Sequence, residues 1–325
     1  MDVSVIIVNY KTPDLVKACV DSICKHTMDL DYEIIVVDNG SNDGSYEQLQ
    51  ESLSDKVILI KSTDNLGFGK ANNLGACSAS GNWLFLLNSD TLLLNNAISI
   101  LFHYIEDHHE VGIVGGNLYS ADGKPSGSYC EIFDTVESVK KQSRWYEIIR
   151  SINNRRQIAK LPAGERIRRQ YQEHFNFSDV PKDVAYIYGT DLMISRELFL
   201  QIDGFDPDFF MYGEETELSF RVHKKGYCIR SIPNARIMHL DGASVKREEE
   251  FNQKQYAMRS MGSMLYFEKC FGTNAAMEYQ HCKRKELSRL LKIASAFRRK
   301  KLLTLTKQQM HAFDQVCQEY SHQKG

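Results

Sequence analysis

Four buried-strand patterns alternate with helical patterns in the first ninety residues, and this alternation constrains the fold more than any other feature of the sequence. The first strand pattern is "VSVIIVNY" at 3–10, and the fourth is "WLFLLNSD" at 83–90. Continuous apolar, β-branched runs are typical of strands buried on both faces, as in a parallel sheet. The alternation therefore predicts βαβ units and an α/β fold with a doubly wound, mostly parallel sheet.

Polar side chains follow each of the four strand patterns at its carboxyl end. They are Asn9 and Tyr10, Asp38 and Asn39, Asp64 and Asn65, and Asn88 and Asp90. Ligands of doubly wound sheets bind beyond the carboxyl ends of the strands. Three strand ends that carry an Asp and meet at one edge indicate a site for a polar ligand.

Asp90 stands out because it lies inside the apolar stretch "WLFLLNSDTLLL". A buried carboxylate is costly unless it has a partner or a metal ion. The alternative is that Asn88-Ser89-Asp90 forms a turn and Asp90 caps a following helix. The convergence of acidic strand ends favours the ligand interpretation, and the capping interpretation remains open.

The rest of the chain is organised less regularly. The segment "VGIVGGNLYSADGKPSGSY" predicts a strand and a hairpin, residues 130–180 are polar and basic, and "CIRSIPNARIMHLDGAS" predicts a strand that ends at His239. Beyond residue 245 the pattern is helical. The expected division is a first domain at 1–245, with halves 1–107 and 108–245 and a basic insertion near 130–180, followed by a helical extension at 246–325.

Composition excludes several classes of protein. The net charge of −2 gives no general attraction to nucleic acid, so no nucleic-acid partner is expected. The eight cysteines form no C-x-x-C pair, which indicates reduced thiols and a cytoplasmic protein. No apolar run reaches the roughly 18 residues of a membrane-spanning helix, and no signal peptide is recognisable.

Several motifs in fixed order resemble those of a known family. They are "VSVIIVNYKTPDLVKACVDSI", "EIIVVDNGSNDGS", "NLGFGKANNLG", "LFLLNSD", "GFDPDFFMYGEETELSFRVHKKGY" and "MHLDGAS". In this order, over residues 3–245, they resemble the family 2 glycosyltransferases of GT-A fold, in particular their rhamnosyltransferase-like branch. The resemblance implies a GT-A catalytic domain, with a nucleotide-binding half at 1–107 and an acceptor half at 108–245. It also implies an inverting, metal-dependent transfer of a sugar from a nucleoside-diphosphate donor.

The resemblance also implies roles for individual residues. Donor-binding roles fall on Val8 and Tyr10 at the base, Asp38 at the base edge, Asn65 and Asn72 near the ribose and diphosphate, and Asn88. Asn88-Ser89-Asp90 matches the family's metal motif, with Asp90 on Mg²⁺ or Mn²⁺ and His239 as a further ligand. Glu215 matches the carboxylate that acts as general base.

Two positions depart from the pattern of this branch. Ser89 stands where Pro is frequent, and Glu214-Glu215 stands where Glu-Asp is frequent. Both keep the required chemistry, so they bear on substrate detail more than on reaction type. A hydrogen-bonded role for His239 and a helix-dipole role for the acidic run 214–217 remain the alternatives to catalysis.

The implied partners are a nucleotide sugar, with rhamnose or a hexose as the sugar, and a saccharide or lipid-linked acceptor in cell-surface polysaccharide synthesis. The alternatives are a sugar-phosphate nucleotidyltransferase and a non-catalytic nucleotide-sugar-binding module. The first alternative requires a Gly-rich phosphate loop directly after the first strand, and "VNYKTPDLV" contains no glycine.

A basic amphipathic helix is predicted near residues 281–301. One face carries Leu287, Leu290, Ile293, Ala294 and Phe297, and nine Lys or Arg residues accompany a single acid in this segment. Such a helix either lies on an anionic membrane surface, here the inner face of the plasma membrane, or packs on the protein with a solvated basic face. The sequence leaves both interpretations open.

Overall fold

The computed structural model describes residues 1–142, 174–240 and 251–322, which divide into two compact units. The first contains the described residues within Met1–Phe133, Ala163–Phe210 and Leu218–Lys246. The second contains those within Asp134–Pro162, Met211–Glu217 and Arg247–Gly325. The domain boundary at residue 245 stays a prediction, and most of the basic insertion, residues 143–173, lies outside the described residues.

The first unit is built on a mixed sheet of nine strands among the described residues. Its strands, with those of a small two-stranded sheet (β7 and β9), are β1 (Val3–Asn9), β2 (Tyr32–Asn39), β3 (Val57–Ser62), β4 (Trp83–Asn88), β5 (Thr91–Leu93), β6 (Val111–Ser120), β7 (Tyr129–Cys130), β8 (Lys182–Asp183), β9 (Tyr186–Ile187), β10 (Asp191–Ser195) and β11 (Cys228–His239). The order is β3-β2-β1-β4-β10-β6-β11-β5, and β8 pairs with β11.

Strand directions confirm the predicted α/β architecture. Strands β1 to β4 are parallel to one another, β6 and β11 are parallel, and β10 is antiparallel to both β4 and β6. Strands β5 and β8 are antiparallel to β11. Six of the nine strands therefore point in one direction, and their carboxyl ends meet at one edge.

Helices lie between the strands of this unit. They are α1 (Pro13–His26), α2 (Ser45–Ser52), α3 (Phe68–Cys77), α4 (Ala97–Glu106) and, after α5 of the second unit, α6 (Arg196–Gln201) and α7 (Glu214–Lys224). The first four residues of α7, through Glu217, belong to the second unit. Residues of β1 alternate between two apolar cores, since Val5 and Ile7 belong to one and Ile6 belongs to the other. Successive side chains of a strand point to opposite faces, which explains why the first strand is apolar throughout.

The second unit is helical. Its helices are α5 (Val136–Gln142), α8 (Gln253–Phe271), α9 (Thr273–Ala296) and α10 (Lys300–His322). Helices α8, α9 and α10 contact one another, and the rings of Phe267 and Tyr279 stack with centroids 4.9 Å apart. The predicted C-terminal helical segment is confirmed from residue 253 onward. No helix in the described ranges is both long and apolar enough to span a bilayer.

Candidate functional site

Asp38 lies at the end of β2 beside the end of β1. The parallel register places Asn9 opposite Asp38, and Asn9 Nδ2 donates a hydrogen bond to Asp38 Oδ2 at 2.6 Å. Ser41 Oγ donates to the same oxygen at 2.7 Å, and the Ser41 N–H donates to Oδ1 at 3.3 Å. The carboxylate is only 1% exposed, so these donors fix its orientation. Fixed acceptors of this kind suit recognition of a polar ligand edge.

Val8 and Tyr10 lie on either side of Asn9 in the sequence, next to these hydrogen bonds to Asp38. Val8 is half-buried and pairs with Val37 on one side and Asn88 on the other. Tyr10 directly follows β1, and its side chain is exposed. Strand pairing thus brings two of the predicted base-binding residues beside Asp38, with an aromatic ring accessible for stacking.

Asn39 was not predicted as a site residue, yet it holds the loop that carries Asn65. Its buried side chain accepts from the Leu66 N–H at 2.8 Å and donates to Asn65 Oδ1 at 3.1 Å and to the Gly67 carbonyl at 3.2 Å. The signal for Asn39 was present in its strand-end position. The sequence did not show which loop it would bind.

Gly40 permits this arrangement. It has φ +68°, and a Cβ atom there would lie 2.4 Å from the Asp64 carbonyl carbon. Only glycine allows so close an approach with this backbone conformation.

Asn72 lies within α3, where it is buried and its side chain donates to the Phe68 carbonyl at 3.0 Å. This contact lies within the helix. The predicted role of Asn72 in donor binding, like that of Asn65, stays a prediction.

Asp90 lies in the turn between β4 and β5. The capping alternative is wrong, because a strand follows at Thr91–Leu93 and the next helix begins at Ala97 with Asn96 at its N-cap. The sequence "TLLL" gave no means to distinguish a short strand from a helix start. The turn is held by the Asn88 N–H, which donates to the Thr190 carbonyl at 2.9 Å.

His239 meets Asp90 through pairing of the strands on which they lie. Strand β5 pairs antiparallel with β11, with Thr91 opposite His239, and the Leu240 N–H donates to the Asp90 carbonyl at 2.8 Å. As a result, His239 Nε2 lies 3.3 Å from Asp90 Oδ1, with both side chains largely buried. The structure thus brings together the two residues predicted to bind metal, 149 positions apart in the sequence.

This pair fits a divalent cation. Adjacent ligands of an octahedral ion, each about 2.1 Å from it, are about 3 Å apart, which is close to the observed spacing. No third His, Cys, Asp or Glu completes a cluster within the ranges that the structure describes. Asp90 and His239 would hold such a cation, and Mg²⁺ and Mn²⁺ readily take water or phosphate oxygens as further ligands.

The acidic run begins helix α7 and, through residue 217, belongs to the second unit. Tyr212 and Gly213 precede it with φ +73° and +97°. A positive φ is uncommon for tyrosine and persists only where surrounding contacts enforce it. Here Gln255 Nε2 donates to the Tyr212 hydroxyl at 3.0 Å, and the Arg259 guanidinium lies 4.9 Å from the Tyr212 ring centroid.

Glu214 and Glu215 differ in environment. Glu214 is buried, and burial together with the nearby Glu215 carboxylate raises the pKa of its carboxyl to about 8. Glu215 is partly exposed and accepts the Gly213 N–H at 3.2 Å, although burial still raises its pKa. Of the two, Glu215 is the more exposed, and the Gly213 N–H donates to its carboxylate.

Asp191 is a further buried carboxyl, at the start of β10. Its Oδ2 accepts the Gly116 N–H at 2.6 Å, whereas Oδ1 has no hydrogen-bond partner within the described residues. Burial raises the pKa of this carboxyl well above its usual value. Because its side chain is fully buried, this carboxyl is not accessible to a substrate hydroxyl, which a general base must reach.

Comparison with known proteins gives consistent matches. Residues 4–162 match the family model described as glycosyl transferase family 2. The chain is 24% identical over 226 residues to the N-acetylglucosaminyl-diphospho-decaprenol L-rhamnosyltransferase of Mycobacterium tuberculosis, a match that covers 66% of this chain and 68% of the relative. It is 22% identical over 255 residues to the O-antigen biosynthesis protein RfbC of Myxococcus xanthus, which covers 78% of this chain and only 18% of the relative.

A solved structure shows the same fold. The mannosyltransferase PcManGT from Pyrobaculum calidifontis, in complex with GDP-Man and Mn²⁺, superimposes with a TM-score of 0.56 at 16% identity. The match covers 97% of this chain and 86% of that one. The predicted GT-A fold is therefore confirmed.

Proposed function

We propose that this chain, which belongs to glycosyltransferase family 2, transfers a sugar from a nucleoside-diphosphate donor to a hydroxyl of a saccharide acceptor with the help of a divalent cation. The observation that carries the proposal is the buried pair of Asp90 and His239, whose facing atoms lie 3.3 Å apart at the carboxyl edge of a nucleotide-binding type of sheet.

Asp90 and His239 are the residues that would hold Mg²⁺ or Mn²⁺. When bound, such a cation neutralises the charge that develops on the diphosphate leaving group. The solved mannosyltransferase was crystallised with Mn²⁺, which supports this choice of cation. The burial of Asp90 limits competing hydration and strengthens its interaction with a cation.

The donor nucleotide is proposed to bind along the ends of β1, β2 and β4. Asp38 would accept hydrogen bonds from the base edge, while Val8 and Tyr10 would contact the base faces. Asn65, Asn72 and Asn88 complete the proposed donor-binding set. The fixed orientation of the Asp38 carboxylate at the ends of β1 and β2 supports its role, because an oriented acceptor favours one arrangement of the base edge.

Glu215 is the proposed general base. An alcohol is a weak nucleophile, and a positioned carboxylate removes its proton as it attacks the anomeric carbon. Attack in a single displacement inverts that carbon. Partial exposure and the hydrogen bond from Gly213 support Glu215 over Glu214, whose side chain is buried.

The names of the relatives suggest the substrates. One relative is named as a rhamnosyltransferase that acts on a lipid-linked N-acetylglucosamine, and another as a protein of O-antigen biosynthesis. We therefore propose rhamnose or a hexose as the transferred sugar. The proposed acceptor is a saccharide or lipid-linked saccharide of cell-surface polysaccharide synthesis.

Thermal unfolding with a panel of nucleoside-diphosphate sugars tests this function. A ligand at 100 times its Kd stabilises the native state by about 2.7 kcal/mol, which raises Tm by several degrees. We expect one class of donor to raise Tm when Mn²⁺ is present and to do so far less with EDTA. The matching nucleoside monophosphate serves as control, since it lacks the diphosphate. Failure of every donor to stabilise the protein in Mn²⁺ would contradict the proposal.

A further inference from the structure

The connection between α9 and α10, together with the first two residues of α10, combines an exposed aromatic ring with four consecutive cations. This segment, residues 297–301, is called the turn. Its sequence is Phe-Arg-Arg-Lys-Lys, and all five side chains are exposed, with Phe297 70% accessible. Arg298 has φ +49°, so the chain reverses sharply between two helices that pack on each other. The five side chains therefore lie at one end of this helical pair.

The positive charge of the turn is not balanced by acidic residues close to it in the sequence. Residues 287–313 contain seven Lys or Arg and no Asp or Glu. Among the described residues, no ion pair joins any of the four cations of the turn to a carboxylate, and the nearest pairs along the chain are Lys283 with Glu286 and Arg284 with Asp314. A cluster of this kind attracts an anionic surface.

The apolar face of α9 is not available for contact with a membrane along its length. Leu287 and Ala294 are buried within the protein, so the predicted amphipathic face is covered by protein packing. Phe297 is the member of that face that the packing leaves exposed. A contact with lipid would therefore involve the end of the helix and not its length.

We propose that the turn 297–301 docks the protein onto an anionic membrane surface. Arg298, Arg299, Lys300 and Lys301 would face the lipid headgroups, while the Phe297 ring enters the interface between headgroups and acyl chains. Four exposed cations within four residues concentrate positive charge in a small area, which suits a surface of closely spaced anionic headgroups. A polynucleotide instead requires a basic track along its backbone. The inference is independent of transferase activity.

Co-sedimentation of the full-length protein with vesicles tests this proposal. We expect binding to phosphatidylcholine vesicles that contain phosphatidylglycerol, weak binding to pure phosphatidylcholine, and release at high salt. Since each cation at an anionic surface contributes roughly fivefold, R298Q/R299Q/K300Q/K301Q should lower the partition coefficient at least about a hundredfold. The matched control K25Q/K56Q/K225Q/K254Q removes the same charge from exposed lysines elsewhere and should retain most of the binding.

A second variant separates the ring from the charge. Phe297→Ser should weaken partitioning by roughly tenfold at constant net charge, because an inserted aromatic ring is lost. Unchanged helical circular dichroism checks that both variants fold. Equal partitioning of wild type and the quadruple turn variant would overturn the proposal, as would equal losses in the turn and control variants. Turn-dependent binding to duplex DNA without binding to anionic vesicles would also overturn it.

Discussion

His239 Nε2 lies 3.3 Å from Asp90 Oδ1, because antiparallel pairing of β5 with β11 places the last residue of one strand beside the turn that leads into the other. A metal site and a simple hydrogen bond both explain this proximity. The two explanations differ in the effect that loss of the histidine has on cation binding.

His239→Ala should weaken binding of Mn²⁺ in the presence of the nucleoside diphosphate by at least about tenfold, because one of the two proposed ligands is lost. Isothermal titration with Mn²⁺ measures this effect. His103→Ala, which removes an exposed histidine of α4, should leave the affinity unchanged. If His239 only hydrogen-bonds to Asp90, its loss would leave the cation affinity at the wild-type value.

Gly67→Ala should strongly destabilise the first unit. Gly67 has φ +83°, and a Cβ atom there would lie 2.1 Å from the Phe210 carbonyl oxygen, so the backbone would have to move. Gly123→Ala is the matched control, since φ there is +74° but the space is open. We expect the Gly67 variant to lose on the order of 2 kcal/mol more unfolding free energy than the control in urea titrations. Equal losses would show that only the backbone conformation matters.

Glu214 should make stability depend on pH. Its pKa is about 8 in the folded protein against 4.5 as a free side chain, so folding binds a proton in this range. The stabilisation is complete below about pH 4.5 and is lost as the pH rises through about 8. Glu214→Gln stays neutral, so its unfolding free energy relative to wild type should rise by on the order of 1 to 3 kcal/mol between about pH 5 and 8.

Urea titrations across this pH range measure the Glu214 effect. Glu51→Gln, on the exposed side of α2, controls for the removal of one negative charge. A constant difference between wild type and Glu214→Gln across the range would show that the Glu214 carboxyl is already ionised in the folded protein.

Glu215→Gln should separate catalysis from binding. The amide keeps the size and much of the hydrogen bonding of the carboxylate but accepts no proton. Transfer should therefore slow by at least roughly a hundredfold, with donor affinity near that of wild type. Glu217→Gln should lose much less if Glu217 only complements the helix dipole. An inactive Glu214→Gln beside an active Glu215→Gln would move the base by one residue.

Much of the candidate site could be predicted because parallel strands deliver their carboxyl ends to one edge. The contact of Asn9 with Asp38 follows directly from the register of β1 and β2. The proximity of Asp90 and His239 required the family resemblance as well, since nothing local connects residues that far apart in the chain. The roles assigned to the donor-binding residues and to Glu215 stay predictions.

Other features depended on contacts that sequence patterns do not contain. The strand β5 is three residues long, too short to show a periodicity. The local pattern therefore does not distinguish this strand from a helix that Asp90 would cap. The hydrogen bonds between Asn39 and the loop at 65–67 depend on how that loop folds over the Asn39 side chain. The helix predicted near 281–301 ends at Ala296, and a second helix begins at Lys300. Leu287 and Ala294 of the predicted apolar face are buried, but periodicity does not distinguish protein from lipid as the covering partner.

Titration of Asp90→Asn with the donor selected by thermal screening, with and without Mn²⁺, tests the central claim most directly. Asn keeps the turn, so Tm without ligand should stay close to that of wild type. We predict that wild type binds the donor much more tightly with Mn²⁺, and that Asp90→Asn loses most of this gain together with most transfer activity. Wild-type donor affinity, Mn²⁺ dependence and turnover in Asp90→Asn would contradict it.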